Sequence, residues 1–222
     1  MPEYYLTVAL RSDTTFGRGE GLAGLVDVEI EHDPHGWPFI GGRALKGLLV
    51  EEWANLRFAL GAGTTWDDAA THLFGTSGAA LGPGAAQMHV GAATLPPDLR
   101  AAVADAKLPT SPAEVLAALT TIRRQTSTQA ETGAPEEGSL RAMRVLLRGT
   151  PLLARLDFTL GPDERALALL AACALAVRRG GTARNRGRGR LALLLHTHVP
   201  PDYDDATFTQ TCFERFVTEV RA

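Results

Sequence analysis

Residues 180–190 combine backbone freedom with concentrated positive charge, reading Gly-Gly-Thr-Ala-Arg-Asn-Arg-Gly-Arg-Gly-Arg. Glycine adopts positive φ and lets the backbone approach a ligand closely, while each guanidinium offers two parallel donors to phosphate oxygens. The arginines alternate, so an extended backbone would point all four to one side as a phosphate-binding row. We therefore predict a polyanion-binding loop; a solvated Arg/Gly segment is the alternative. The predicted contact residues are Gly181, Arg184, Arg186, Gly187, Arg188, Gly189 and Arg190.

Asp27 is an acidic residue that side-chain alternation places off the core. The aliphatic residues of 26–30 alternate with Asp27 and Glu29, so an extended backbone would leave Asp27 away from the core. From spacing alone, a solvated acidic residue beside Glu29 and Glu31 is the favoured interpretation.

Other basic side chains lie at positions from which they could bind the same polyanion. Lys46 and Arg43 fall in the first turn of a long helical pattern, and the free N–H groups of a helix N-terminus attract anions. Ordinary exposed side chains are the alternative. In the polar region 95–150, the candidate duplex contacts are Arg123, Arg124, Arg141 and Arg144, with a solvated hairpin as the equal alternative.

Histidines and cysteines give weaker signals. His196 and His198 are the only close histidine pair, and two imidazoles could act as metal ligands or as general acid and base. Histidines at a surface or strand end are the favoured interpretation. Cys173 and Cys212 each fall on the apolar side of a helical pattern, which predicts buried free thiols.

Charge is segregated along the 222 residues. The formal net charge is −3, yet residues 121–190 hold 13 Arg against 6 Asp and Glu, so this stretch carries +7 and the remainder −10. No P-loop, Gly-x-Ser-x-Gly elbow or Cys-x-x-Cys occurs, which disfavours the enzyme classes that need them. No apolar run of about 18 residues or signal peptide is present, so we expect a cytoplasmic protein without a membrane partner.

Hydrophobic periodicity predicts the elements that must position these residues. Alternation predicts strands at 4–11, 86–92, 152–160 and 191–195, and three- to four-residue spacing predicts helices at 43–60, 112–121, 162–180 and 204–220. Leaving out the short helix at 112–121, the core order is strand, helix, strand, strand, helix, strand. That order predicts an α+β, ferredoxin-like core. We expect a single domain over 1–222, with insertions at about 12–42 and 95–150 and a C-terminal helix at about 204–221.

With these residues in view, the sequence resembles the RAMP superfamily, the repeat-associated proteins that build type III CRISPR effector complexes. Four segments carry the resemblance, and their order and spacing are more specific than any one of them. They are Gly24–Ile30 with Asp33–Ile40, Gly42–Gly47, Leu73–Gly75 and Gly180–Arg190. A fifth, Gln129–Gly149, is similar to the thumb hairpin of the backbone subunits. Relatives often place serines where this chain has Gly42-Arg43-Ala44.

The resemblance implies a subunit that holds guide RNA by its backbone, pairs with other type III effector subunits and meets target RNA. Asp27 matches the cleaving aspartate of the backbone subunits, whose activity is assisted by a divalent metal such as Mg²⁺ or Mn²⁺, so the resemblance makes Asp27 the candidate catalytic residue. In that role one carboxylate could hold or orient a metal that stabilises charge on a scissile phosphate while a 2′-hydroxyl attacks in line. A non-catalytic architectural or capping subunit of the same complex stays open as an alternative. A stand-alone precursor-processing endoribonuclease that uses His196 or His198 is the third interpretation.

Overall fold

A four-stranded antiparallel sheet carries the helices on which the candidate site is built. The computed structural model describes residues 3–21, 25–61, 64–79, 82, 84–104, 111–127, 129, 131–134 and 136–222. The strands are β1 (Tyr4–Leu10), β2 (Met88–Val90), β3 (Thr120–Gln125), β4 (Arg141–Leu146), β5 (Pro151–Phe158) and β6 (Leu191–His196). The helices are α1 (Gly42–Leu60), α2 (Asp67–Phe74), α3 (Pro97–Ala104), α4 (Pro112–Leu119), α5 (Glu164–Ala176) and α6 (Thr207–Arg221).

The strand order in the main sheet is β2-β5-β1-β6, with every neighbouring pair antiparallel. Leu6 on β1 stands opposite Ala154 on β5 and Leu195 on β6. Along the chain these strands and the two central helices follow one another as β1, α1, β2, β5, α5 and β6. The predicted α+β class and the predicted order of core elements are confirmed.

The hydrophobic core lies between this sheet and the helices. Leu6 on β1, Leu45 and Leu49 on α1, and Leu169 and Leu170 on α5 are all fully buried in one cluster. Helix α5 is apolar on almost every side because it packs against α1, α2, α6 and β6. Its N-terminus is capped by Asp163, whose Oδ1 accepts a hydrogen bond from the Ala166 amide at 2.7 Å, a contact that stabilises a helix by about 1 kcal/mol.

The region 95–150, predicted as an excursion with one short helix, holds two helices and a hairpin among its described residues. Helix α4 begins with a capping box formed by Ser111 and Glu114, the residues that satisfy free amides at a helix start. It leads directly into β3, which pairs with β4. The hairpin arms lie at 120–125 and 141–146, so the hairpin begins earlier than the expected 129–149; Ala130 and Pro135 lie outside the described residues.

The predicted insertion at 12–42 is joined to the hairpin and to the 180–190 loop through isolated bridges. Thr14 pairs with Leu146 of β4, and Thr15 pairs with Thr182. Val28 pairs with Met143 of β4 in parallel orientation. The second edge of β4 is therefore covered by residues 14, 27 and 28, which fixes the base of the hairpin against the body of the protein. In the described part of the chain, no helix has the length and apolarity needed to cross a membrane.

Candidate nucleic-acid interface

The 180–190 segment, here called the glycine loop, is an ordered turn. Arg179 and Arg190 form an antiparallel bridge that closes its ends, and the Gly180 amide donates to the Gly189 carbonyl at 2.9 Å. The Thr182 amide donates to the Thr15 carbonyl at 2.7 Å. Residues 183–187 form turns, so the prediction of an extended row of four arginines is wrong. The chain reverses here instead of running straight.

Close packing explains two of the three predicted glycines. Gly181 has φ +80°, and a Cβ there would lie 2.4 Å from the Thr15 carbonyl oxygen. Gly189 has φ +71°, and its Cβ would lie 2.1 Å from the Gly180 carbonyl oxygen. Gly187 has φ +80° but nothing within 4 Å of an added Cβ. Gly181 and Gly189 thus build the loop, while Gly187 is free to face a ligand.

The four arginines of the loop have different surroundings. Arg184 makes a bidentate ion pair with Glu51 of α1, at 3.0 and 2.9 Å, and this contact lowers the pKa of the Glu51 carboxyl. Arg188 is half-buried, with Nη1 2.7 Å from the sulfur of Met143 on β4. Arg186 and Arg190 are exposed. The ion pair of Arg184 therefore holds the glycine loop against α1, and Arg188 contacts the hairpin.

An open basic cleft, here called the arginine cleft, lies between the glycine loop and the base of the hairpin, with a volume of about 890 Å³. Five arginines and one acidic residue line it. Its lining is Arg11, Ser12, Asp13, Arg123, Arg124, Leu147, Arg148, Gly187 and Arg188. The structure thus brings together the predicted residues Arg123, Arg124, Gly187 and Arg188. Arg11 and Arg148 were missed as site residues because each is a single arginine with no local pattern.

Asp13 connects the walls of the arginine cleft. Its Oδ2 accepts from Arg123 Nε at 3.1 Å and Nη2 at 2.7 Å, and its Oδ1 accepts from the Arg148 amide at 3.2 Å. Its backbone carbonyl accepts from the Gly189 amide. Burial by itself would raise the pKa of Asp13, but the hydrogen bonds from Arg123 and Arg148 lower it overall. Asp13 remains ionised and offsets part of the charge of Arg123.

A second cleft of about 650 Å³, here called the helix-end cleft, lies at the N-terminus of α1 on the other side of the glycine loop. Arg18, Glu31, Arg43 and Gly181 are among its lining residues, so Arg43 takes the predicted position. Gly42 has no room for a side chain, because a Cβ would lie 1.9 Å from the Val90 carbonyl oxygen. This close approach requires glycine at the first residue of α1.

Lys46, which was predicted to contact a phosphate with Arg43, is not among the residues that line the helix-end cleft. Its Nζ donates to the Met88 carbonyl of β2 at 3.2 Å, and partial burial lowers the pKa of the ammonium. The long side chain leaves the helix face that carries Arg43 and crosses to the sheet. Lys46 thus uses one of its donors inside the protein, and its predicted phosphate contact stays a prediction.

Asp27 lies at the hairpin base, exposed to solvent. Its amide donates to the Ala142 carbonyl at 2.8 Å, and the Ala142 amide donates to Asp27 Oδ2 at 2.6 Å. Gly24 of the same motif lies outside the described residues. The described residues contain no group of three or more His, Cys, Asp or Glu suited to a metal. A single carboxylate fits Mg²⁺ nonetheless, since this ion is commonly held by one or two carboxylates together with substrate phosphates.

Glu29 and Arg144 lie in the interior, which differs from what we expected of both residues. Glu29 was expected to face solvent beside Asp27, and Arg144 was expected to contact a duplex. Glu29 is 0% exposed, and its Oε1 accepts from Arg144 Nε at 2.7 Å. The Arg144 side chain is only 12% exposed. Arg144 is used inside the protein, whereas Arg124 and Arg141 on the same hairpin remain exposed.

The histidine pair is divided between interior and surface. His196 is buried at the end of β6, with Nε2 3.2 Å from Thr7 Oγ1, and burial lowers its pKa. His198 is exposed. His196 ends β6, which is an edge strand of the main sheet, so the prediction of histidines at a surface or strand end is in agreement with both positions. Cys173 and Cys212 are free thiols as predicted, the first buried and the second half-buried.

The fold defines a class of antiparallel α+β proteins, and comparison with solved structures identifies chains of the same fold. One, described as "Type III-B Cmr-beta Cryo-EM structure of the Apo state", matches with a TM-score of 0.61 at 12% identity, covering 87% of this chain and 96% of its own. Another, from the "Cryo-EM structure of the Type III-B Cmr-beta bound to cognate target RNA", gives 0.62 at 13% identity, covering 88% and 97%. No family model and no curated protein matches the sequence.

Proposed function

We propose that this chain is an RNA-binding subunit of a type III CRISPR interference complex, built on a ferredoxin-like core and holding guide RNA by its backbone. The arginine cleft is the observation that carries the proposal. It gathers Arg11, Arg123, Arg124, Arg148 and Arg188 from four separate segments around a single carboxylate. Clustered guanidiniums in an open groove attract a polyanion. The shared fold with chains of Cmr-beta structures, one of them bound to target RNA, supports the same class.

The glycine loop lies between the two clefts and is suited to contact the RNA backbone from both sides. Gly181 and Thr182 line the helix-end cleft, while Gly187 and Arg188 line the arginine cleft. Contacts between guanidiniums and phosphate oxygens carry no information about base sequence. The subunit would therefore hold any guide sequence, and specificity would come from base pairing between guide and target.

The proposal includes cleavage of the paired target RNA next to Asp27. A divalent cation bound there would stabilise negative charge on the scissile phosphate. Asp27 is the residue that would hold it, with Oδ2 fixed by the Ala142 amide and the carboxylate exposed to solvent. The backbone contacts of Asp27 with β4 orient this carboxylate at the hairpin base.

A second candidate function is a non-catalytic architectural subunit that caps the complex. The contact between Asp27 Oδ2 and the Ala142 amide favours it, since it gives the carboxylate a structural role at the hairpin base. The processing-ribonuclease interpretation has less support, because His196 is buried against Thr7 and does not share a surface with His198.

Purification of the tagged chain from its native host, followed by sequencing of the bound RNA, tests the functional class. We expect repeat-derived guide RNAs and other type III effector subunits. Recovery of the chain without RNA, or with unrelated messenger RNA alone, would contradict the proposal.

Asp27→Asn in the assembled complex separates the two candidates. With labelled target RNA and Mg²⁺, the catalytic proposal expects loss of fragments from the sites this subunit serves, with target binding retained. Asp98→Asn on the exposed face of α3 is the matched control. Equal cleavage by both variants would contradict a catalytic role for Asp27.

A further inference from the structure

Residues 27–30 and β4 are joined by two successive side-chain contacts. The first is the hydrogen bond from the Ala142 amide to Asp27 Oδ2 at 2.6 Å. The second, two residues further along both segments, is the Glu29–Arg144 ion pair at 2.7 Å. Between them the Arg144 amide donates to the Val28 carbonyl at 3.0 Å. Asp27 and Glu29 are thus held in one register against the same strand.

Arg144 also reaches the other arm of the hairpin, since its Nη1 lies 3.3 Å from Thr120 Oγ1 on β3. Glu29 Oε1 additionally accepts from the Ile30 amide at 3.0 Å. The pair therefore connects three segments that are distant in sequence. Glu29 and Arg144 are 115 residues apart.

Stability does not explain why this pair is buried. Burying two charges costs desolvation free energy that their attraction repays only with complete hydrogen bonding. Glu29 Oε2 is buried and has no hydrogen-bond partner in the described part of the protein. A pair of apolar side chains of similar volume would be expected to stabilise this position as well or better.

The Glu29–Arg144 ion pair fixes the register of segment 27–30 on β4, that is, which residues of the two segments stand opposite each other. Segment 27–30 meets β4 through the bridge between Val28 and Met143 and through these two side-chain contacts. A shift of one residue along β4 would separate Glu29 from Arg144 and Asp27 from the Ala142 amide. Because a buried charge without its partner is strongly unfavourable, the pair disfavours the shifted arrangement. Apolar side chains at the two positions would not discriminate between the registers.

We propose that Glu29 and Arg144 are positioning residues that set the register of the Asp27 segment on β4 and thereby present the Asp27 carboxylate to RNA. This inference rests on the proposed function only for its effect on cleavage. The register itself is a property of the protein that can be measured without RNA.

The test is the double variant Glu29→Met with Arg144→Met in the full chain, alone and in the assembled complex. Its melting temperature should equal or exceed that of the wild type. Amide hydrogen exchange at Ala142 and Asp27 should accelerate at least about tenfold, because the register is no longer unique. In the complex, target cleavage at saturating RNA should fall about 100-fold, as expected for a misplaced catalytic group, while RNA affinity stays within about twofold.

Two further variants control the experiment. Arg57→Met with Asp67→Asn removes an exposed ion pair between α1 and α2 and should change neither exchange at Ala142 nor cleavage. Arg144→Lys keeps the charge next to Glu29 and should retain more protection and cleavage than the double methionine variant.

Wild-type exchange at Ala142 and Asp27 in the double methionine variant would overturn the inference, whatever the cleavage result. A complex whose wild type does not cleave would contradict the catalytic proposal, while faster exchange in the variant would still support the register. If the double variant fails to fold, amide hydrogen exchange is compared in the single variants Arg144→Lys and Glu29→Gln. Protection that is retained in Arg144→Lys and lost in Glu29→Gln supports the inference. Equal protection in the two variants contradicts it.

Discussion

Removal of two arginines from the arginine cleft should reduce both RNA affinity and its dependence on salt. Arg124 and Arg148 are exposed and line the cleft from β3 and from the turn after β4. The variant Arg124→Ala with Arg148→Ala leaves the Asp13 network of hydrogen bonds in place, because Asp13 contacts the Arg148 backbone and not its side chain. The change therefore removes charge without removing the contacts that hold the cleft.

The magnitude follows from the number of free guanidiniums. Of the five arginines lining the cleft, Arg11 is already paired with Asp204 and Arg123 with Asp13, which leaves three for phosphate contacts. Each contact with a single strand contributes about −0.7 to the slope of log affinity against log salt, so we expect roughly −2 for the wild type and roughly −0.7 for the variant. Between 50 and 200 mM salt, wild-type affinity should fall roughly 20-fold and variant affinity roughly 3-fold.

Fluorescence anisotropy with a short labelled oligoribonucleotide, measured over a salt series and repeated with a second base sequence, provides the assay. The control variant Arg57→Ala with Arg221→Ala removes the same charge from α1 and the end of α6, away from the cleft lining. An unchanged slope in the cleft variant, or an equal loss in the control, would refute the reasoning. An RNA affinity that depends strongly on base sequence would contradict recognition through the RNA backbone.

Three further predictions concern the protein without RNA. Gly189→Ala should lower the free energy of unfolding by roughly 3 kcal/mol, because its Cβ would strike a carbonyl 2.1 Å away at positive φ, whereas Gly187→Ala should cost only about 1 kcal/mol; urea unfolding measures both, and equal losses would contradict the geometry. Asp13→Asn should lower the unfolding free energy by about 1 kcal/mol at neutral pH. Because the pKa of Asp13 is lowered in the folded protein, its contribution is present above the unfolded value of about 3.9 and is lost as the pH falls through the folded value; urea midpoints of variant and wild type should therefore converge in acid, and a constant gap would argue against it. Thiol titration of the native protein should modify half-buried Cys212 before Cys173, whose pKa is raised by burial; the reverse order would contradict the packing of α5.

Local pattern was enough to predict the elements with long, regular periodicity. The strand predicted at 4–11 is observed at 4–10, and the helix predicted at 43–60 is observed at 42–60. Helix α2 was missed because its eight residues follow a glycine-rich stretch and carry only a few apolar side chains. The first hairpin arm was missed because Thr120–Gln125 is largely polar, and its pairing with β4 is a contact between distant residues.

The sequence indicated which residue types occur in the candidate site, but not how the backbone and side chains are arranged there. The glycine loop was identified from composition, yet its extended geometry was wrong because Gly181, Ala183, Gly187 and Gly189 all have positive φ. Arg144 was grouped with the exposed arginines of its hairpin, although it pairs with buried Glu29. Nothing in the local pattern distinguishes an arginine that faces solvent from one that meets a carboxylate far along the chain.

The sequence by itself determined where positive charge and glycine accumulate, which segments form the main strands and helices, and the order in which they follow one another. These properties depend on neighbours within a few residues, through side-chain periodicity and backbone preference. Only the tertiary structure decided which charges remain available to a ligand. Arg184 meets Glu51 across 133 residues. Arg11, Arg124 and Arg148 share one cleft because the Gly149 amide donates to the Leu10 carbonyl and Arg123 of β3 donates to Asp13. Ion pairing and cleft formation depend on distances in space, and these are set by the packing of the whole core.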